Sequence, residues 1–199
     1  MQAPSIGGAP ANPASVAAAR RAQRWIRAWV ALGFAAYLLL PWYAIQDATW
    51  YEAVPQVFGR AEGANGLMQA LTQGRSWLFI GLGGLAMCAI GAWRPAGRAQ
   101  GRWLLAGGAI GALGLAITGF AIGARGWSFE ALNTQFGELA INQFGIGAGG
   151  VVALTALVML AAFGIARLGL FKGDLFVAAA VIGCGVLMAL FIAYPVSKA

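Results

Sequence analysis

Histidine is absent from these 199 residues, and Asp and Glu together number only six. Metal centres built from His, Cys and carboxylate ligands, and acid–base chemistry that turns on imidazole, have almost no raw material here. No enzyme activity, cofactor or metal site is expected. Cysteine is nearly absent too: Cys88 and Cys184 both fall within apolar runs, where a small packing role is the plain reading and a disulfide does not follow from sequence. Charge is scarce, at 10% of residues against about a quarter in soluble domains. With 60% hydrophobic residues and a mean hydropathy of +0.74, the composition is that of an all-α, polytopic integral membrane protein. The net charge of +7 does not argue for nucleic acid, because the basic residues stand in short clusters between apolar runs.

The apolar runs are the principal content of the chain. Leu175 to Tyr194 carries no charged side chain and is opened by Asp174 and closed by Pro195 and Lys198. At ~1.5 Å rise per residue, a helix of this length crosses a hydrocarbon core of ~30 Å. Four further spans are expected at Ala28 to Ile45, Trp77 to Trp93, Trp103 to Gly123 and Phe144 to Ile165. This makes about five transmembrane helices in three segments: a tail and basic flank over 1–27, a four-span block over 28–171, and a fifth span over 172–199.

The connecting segments have characters of their own. Met1 to Ser15 is Pro, Gly, Ala and Ser without an apolar period, and is expected to be a disordered tail. Arg20, Arg24 and Arg27 share a helix face with Arg21 beside them, and Trp25 and Trp29 lie one turn apart. The flank reads either as a contact for anionic lipid or, preferably, as a positive end that holds the first span's start in the cytoplasm. No small-residue cleavage site follows the first span, so it is expected to stay as an anchor. Trp42, Tyr43, Trp50 and Tyr51 read as an interfacial aromatic belt, and Gln46 to Arg75 as an exposed, partly irregular loop. Ala124 to Gln143 is amphipathic, with Phe129, Leu132 and Phe136 recurring at helical spacing behind Ser128 as an N-cap. Glu130 and Glu138 are expected to be solvated rather than to hold a cation. Asp174 is expected to cap the final span.

Glycine supplies the candidate packing sites. Gly107, Gly111, Gly119 and Gly123 recur at multiples of four in the third span, and Gly145 and Gly149 are four apart in the fourth. Such residues let a neighbouring helix approach closely enough for dispersion and backbone contacts to replace the missing hydrophobic drive. Lys and Arg also sort by side, nine on the N-terminal flank and the turns around Arg94 and Arg167 against four on the other loops. The bias predicts N-terminus in and C-terminus out. No expected span has an ionisable residue at its centre, which argues against an autonomous pump or proton-coupled transporter.

Four stretches carry a resemblance: Leu40-Pro41-Trp42-Tyr43-Ala44-Ile45, Gly126-Trp127-Ser128-Phe129, Phe171-Lys172-Gly173-Asp174, and Phe191 to Val196 with its Tyr194-Pro195. Together they resemble the N-terminal part of permease subunits from ferric-iron ABC importers, from about the first span to the end of the sequence. The resemblance implies a component of the cell inner membrane that imports ferric iron. Its partners would be the lipid bilayer, an ATP-binding ABC subunit and a periplasmic substrate-binding protein, with no nucleic acid. It further implies that Asp174 to Ala199 corresponds to the first span of a permease core, so that the chain is a fragment or split subunit. The family's Glu-Ala-Ala docking loop is not found, and Glu130-Ala131-Leu132 does not match it. The alternative expectation is a small five-span structural or assembly protein that binds partners through its glycine-lined faces.

Overall fold

The computed structural model describes residues 13–42, 65–72, 74–123, 126–138 and 146–188. Seven α-helices occur among them: α1 (Pro13–Leu39), α2 (Gly66–Thr72), α3 (Phe79–Ala92), α4 (Arg98–Ala121), α5 (Glu130–Phe136), α6 (Ala148–Arg167) and α7 (Leu175–Met188). Short 3-10 turns precede α3 and α7, and a two-residue hairpin of β1 (Ile122–Gly123) with β2 (Gly126–Trp127) follows α4. The fold is all-α.

Four helices form a bundle in the cyclic order α1, α3, α4, α6. The α3–α4 and α4–α6 seams are the most extensive, α1 bridges α6 and α3, and α7 lies outside against α6. Chain direction alternates. Arg27 sits 5.6 Å over the Trp93 ring, joining the basic part of α1 to the end of α3. At the opposite end, the Tyr37 hydroxyl donates to the Leu78 carbonyl at 3.1 Å. Gly101 near the start of α4 meets Gly164 and Arg167 near the end of α6. The flank arginines, the 94–102 cluster and Arg167 therefore gather at one end of the bundle.

Among the described residues, two helices are long and apolar enough to cross a membrane, over Arg98–Gly119 and Ala148–Arg167. The apolar stretches Ser76–Ala92 and Leu175–Gly185 are shorter. Several boundaries differ from expectation for identifiable reasons. α1 begins at Pro13, inside the expected tail, because proline suits a first helical position. It stops at Leu39 rather than continuing to residue 45, since Pro41 lacks an N–H and disfavours helical backbone at Leu40. Residues 43–45, 144–145 and 189–194 of the expected spans lie outside the described residues. α4 ends before Gly123, which pairs with Gly126 in the hairpin instead of lining a helix face.

The segment before Arg75, expected to be an exposed and partly irregular loop, includes a short helix with buried residues. The Asn65 side chain accepts from the Met68 N–H at 2.8 Å and starts α2, which buries Gln69 and Ala70. Ser128 is not a side-chain cap: Phe129 occupies the N-cap of α5 without a side-chain bond, and the Ser128 N–H donates to the Ala121 carbonyl at 2.7 Å. Asp174 does cap α7. Its Oδ1 accepts from the N–H groups of Phe176 at 2.8 Å and Val177 at 3.3 Å.

Candidate functional site: glycine seams and the tryptophan corner

The densest contacts in the bundle are made by residues with little or no side chain. A β-carbon on Gly107 would lie 2.6 Å from the Gly84 carbonyl oxygen and 2.9 Å from Cys88 Sγ. One on Gly84 would lie 2.7 Å from the Gly111 Cα. Backbone thus meets backbone across the α3–α4 seam, which brings many weakly attracting atom pairs within range at once. Gly111 also faces Leu157 of α6, so it stands where the two seams of α4 converge. The α4–α6 seam repeats the device: a β-carbon on Gly108 would be 2.6 Å from the Leu157 carbonyl, and one on Gly164 would be 2.5 Å from the Leu105 nitrogen.

The predicted packing glycines are therefore divided by the fold. Gly107 and Gly111 lie in a helix seam, Gly119 is half-buried in α4, Gly123 is in the hairpin, and Gly145 lies outside the described residues. Gly149 meets α1 and the ring of Trp42. Sequence reasoning missed Gly84, Gly101, Gly108 and Gly164. The seven-residue interval between Gly101 and Gly108 was the legible signal for the second seam.

Among the described residues Trp42 is the largest fully buried side chain, which corrects its assignment to an interfacial belt. Its Nε1 donates to the Ala36 carbonyl at 2.9 Å. That carbonyl belongs to the last turn of α1, where four oxygens have no partner within the helix. The ring packs against Tyr37, centroids 4.2 Å apart, and sits in a socket left by Gly66 and Gly149, while Gly147 abuts the Trp42 backbone. The Gly149 N–H donates to the Pro41 carbonyl at 2.8 Å. Tyr43, Trp50 and Tyr51, the rest of that supposed belt, lie outside the described residues.

A polar node closes the basic end. Gln100, fully buried, shares the two Nε2 hydrogens among Gln23 Oε1 at 2.9 Å, the Arg94 carbonyl at 3.2 Å and the Gly91 carbonyl at 3.3 Å. Gln23 in turn donates to the Ala92 carbonyl. The two amides satisfy carbonyls at and just beyond the C-terminus of α3 and tie α1, α3 and α4 together. Arg94 sits 5.3 Å over the Trp103 ring. The opposite end has an aromatic latch: Trp77 meets Trp127 edge-on at 4.9 Å and Phe136 at 5.2 Å, and Trp127 Nε1 donates to the Gly137 carbonyl at 2.9 Å.

Among the described residues no group of three His, Cys, Asp or Glu side chains converges on a point. Cys88 is buried at the α3–α4 seam, its Sγ 3.6 Å from the Leu104 carbonyl, and Cys184 is exposed on α7; both are free thiols. The arrangement fastens helices together. No protein-family model, no curated protein and no solved structure matches the chain.

Proposed function

We propose that this chain is a helix-packing membrane block of an ABC importer permease, seated in the cell inner membrane, whose ATP hydrolysis takes place on a separate subunit. The observation that carries the membrane reading is the outer surface of the bundle. Only 33% of the apolar window of α4 is buried inside the bundle, and Leu113 and Ile117 are 62% and 65% exposed. The core helix of a water-soluble protein hides such a window. Phe176 on α7 is 81% exposed and Val151 on α6 is 51% exposed, so the apolar exterior continues around the molecule. A patch of this extent in water drives aggregation, whereas lipid accepts it without cost.

The charges fit the same environment. α3, α6 before Arg167, and the described length of α7 carry none, while the arginines gather at one end. By the positive-inside rule that end is cytoplasmic. In this reading five spans cross the bilayer, with the N-terminus in and the C-terminus out. Transport, and ferric iron as the cargo, rest on the resemblance. Three of its four stretches fall at chain reversals: the Trp42 corner, the hairpin with its Trp127 latch, and the turn capped by Asp174. Phe191 to Val196 lies outside the described residues.

The test is an affinity-tagged chain expressed from its own locus and extracted in mild detergent. Co-purification of an ATP-binding ABC subunit, with loss of ferric-iron uptake on deletion of the coding region, is the expected result. Unchanged uptake and no ATP-binding partner would overturn the transport reading and leave a structural or assembly role, for which the tightly sealed glycine seams are sufficient.

A further inference from the structure

The basic end carries a hollow that the packing of the bundle does not fill. It lies where α1, α6 and the start of α7 meet and has a volume of about 700 Å³. That is within the ~300–1,000 Å³ usual for sites that enclose small ligands. Ala18 and Ala22 leave the α1 side open, and Trp25, Trp29, Met159 and Phe163 supply apolar walls. These alanines and tryptophans recur at i, i+4, i+7 and i+11, a single stripe of α1. Arg21 stands at the rim and is shared with a second hollow of about 530 Å³, which Arg20 and Arg24 also line. The apolar slot is therefore bordered by the Arg21 guanidinium, and Arg20 and Arg24 line the adjoining hollow.

The charge pattern selects the occupant. α1 carries no carboxylate anywhere along its length, and all three arginines are exposed. The nearest acid in sequence to the groove lining is Asp174, whose carboxylate oxygen is engaged by the N–H groups of α7. A neutral or cationic molecule would leave the arginine cluster unanswered. A free anion would leave the apolar slot empty. A phosphate diester tethered to a hydrocarbon chain satisfies both, since guanidinium forks match phosphate oxygens and tryptophans suit the headgroup layer.

We propose that this groove holds one acyl chain of an anionic glycerophospholipid whose phosphate is bound by Arg20, Arg21 and Arg24. The site rests on the membrane-embedded reading given above, and is more specific than a general attraction of a basic flank to a charged surface. The chain in the slot fixes the headgroup in register with the arginines and wedges α1 against α6.

The experiment uses the purified full chain in phosphatidylcholine vesicles containing an equal share of acyl-brominated lipid, either phosphatidylcholine or phosphatidylglycerol. Bromine quenches tryptophan fluorescence on contact, and a Trp25→Phe/Trp29→Phe variant isolates the contribution of the groove. The expected result is stronger quenching of that contribution by the brominated phosphatidylglycerol. The preference should fall roughly five-fold for each arginine replaced by Gln, the factor equivalent to the contribution of one basic residue near an anionic surface. Ala22→Leu, which fills the slot and leaves every arginine in place, should also reduce it, with helix content by circular dichroism unchanged. Equal quenching by the two lipids, or an Ala22→Leu variant that keeps the full preference, overturns the site while the membrane reading stands. Abolition of the preference by millimolar inorganic phosphate overturns the lipid as its ligand. Recovery of the chain in the aqueous supernatant, quenched by neither lipid, overturns both readings.

Discussion

A methyl group added at Gly107 would be forced to within 2.6 Å of a carbonyl oxygen of the neighbouring helix, and one added at Gly183 would meet nothing within 4 Å. The two glycines are chemically identical and both sit in apolar helices, so the difference between them is purely one of surroundings. Alanine gains ~1 kcal/mol over glycine in intrinsic helix propensity. Overpacking a close seam costs about 1–3 kcal/mol, because backbone cannot swing aside as a side chain does. Gly107→Ala is therefore expected to lower the midpoint of detergent-induced unfolding, and Gly183→Ala to leave it unchanged or raise it. A midpoint for Gly107→Ala at or above that of the parent chain would show that the α3–α4 seam is not as close as its geometry requires. Trp42 illustrates the same dependence on surroundings. Its aromatic neighbours along the chain suggest an interface, yet Gly66 and Gly149, distant in sequence, complete a buried socket around it.

At the scale of elements, most of the specificity lies in the ends of helices rather than in their lengths. α1 ends on the indole of Trp42, α3 ends on the amides of Gln23 and Gln100, and α7 begins on the carboxylate of Asp174. Each device satisfies backbone groups that a helix terminus leaves unpaired. The segment 126–138 is held differently, since α5 buries none of its residues. It relies on Trp127 and Phe136 against Trp77, with each aromatic pair contributing ~0.5–1.5 kcal/mol beyond simple burial. Trp127→Ala should release the segment, seen as faster cleavage between residues 126 and 138 in limited proteolysis, and Trp127→Phe should retain much of the protection. Equal cleavage of all three proteins would mean that the latch does not hold the segment. Asp174 was legible in the sequence because capping is local, whereas Gln23 and Gln100 lie 77 residues apart and no local pattern announces their contact.

On the scale of the whole molecule, the bundle is a cylinder with an apolar wall and unequal ends. Arginines crowd one end beside Trp93 and Trp103, and the Trp42 corner and the Trp77 latch close the other. In the proposed membrane setting this asymmetry sets the orientation, because moving clustered arginines across a bilayer is far less favourable than moving an end with few cations. A phosphatase reporter fused after Pro95 is expected to be inactive, and one fused after Gly137 active. The reverse pattern would invert the proposed topology and remove the importer reading of which end faces an ATP-binding partner. Among the described residues, α3 and α7 carry no Asp, Glu, Lys or Arg, and neither do α4 after Arg102 or α6 before Arg167.

The apolar runs and the sorting of arginine are properties of composition and order, and they were sufficient for an all-α chain. They are local or additive, so no knowledge of neighbours is needed to read them. Which glycines face a partner, whether Trp42 meets lipid or protein, and how a buried amide closes the end of α3 depend on contacts between distant segments. Those contacts arise only when helices cross at a given depth and rotation. A helix apolar on every side does not declare in its own pattern which side will be covered.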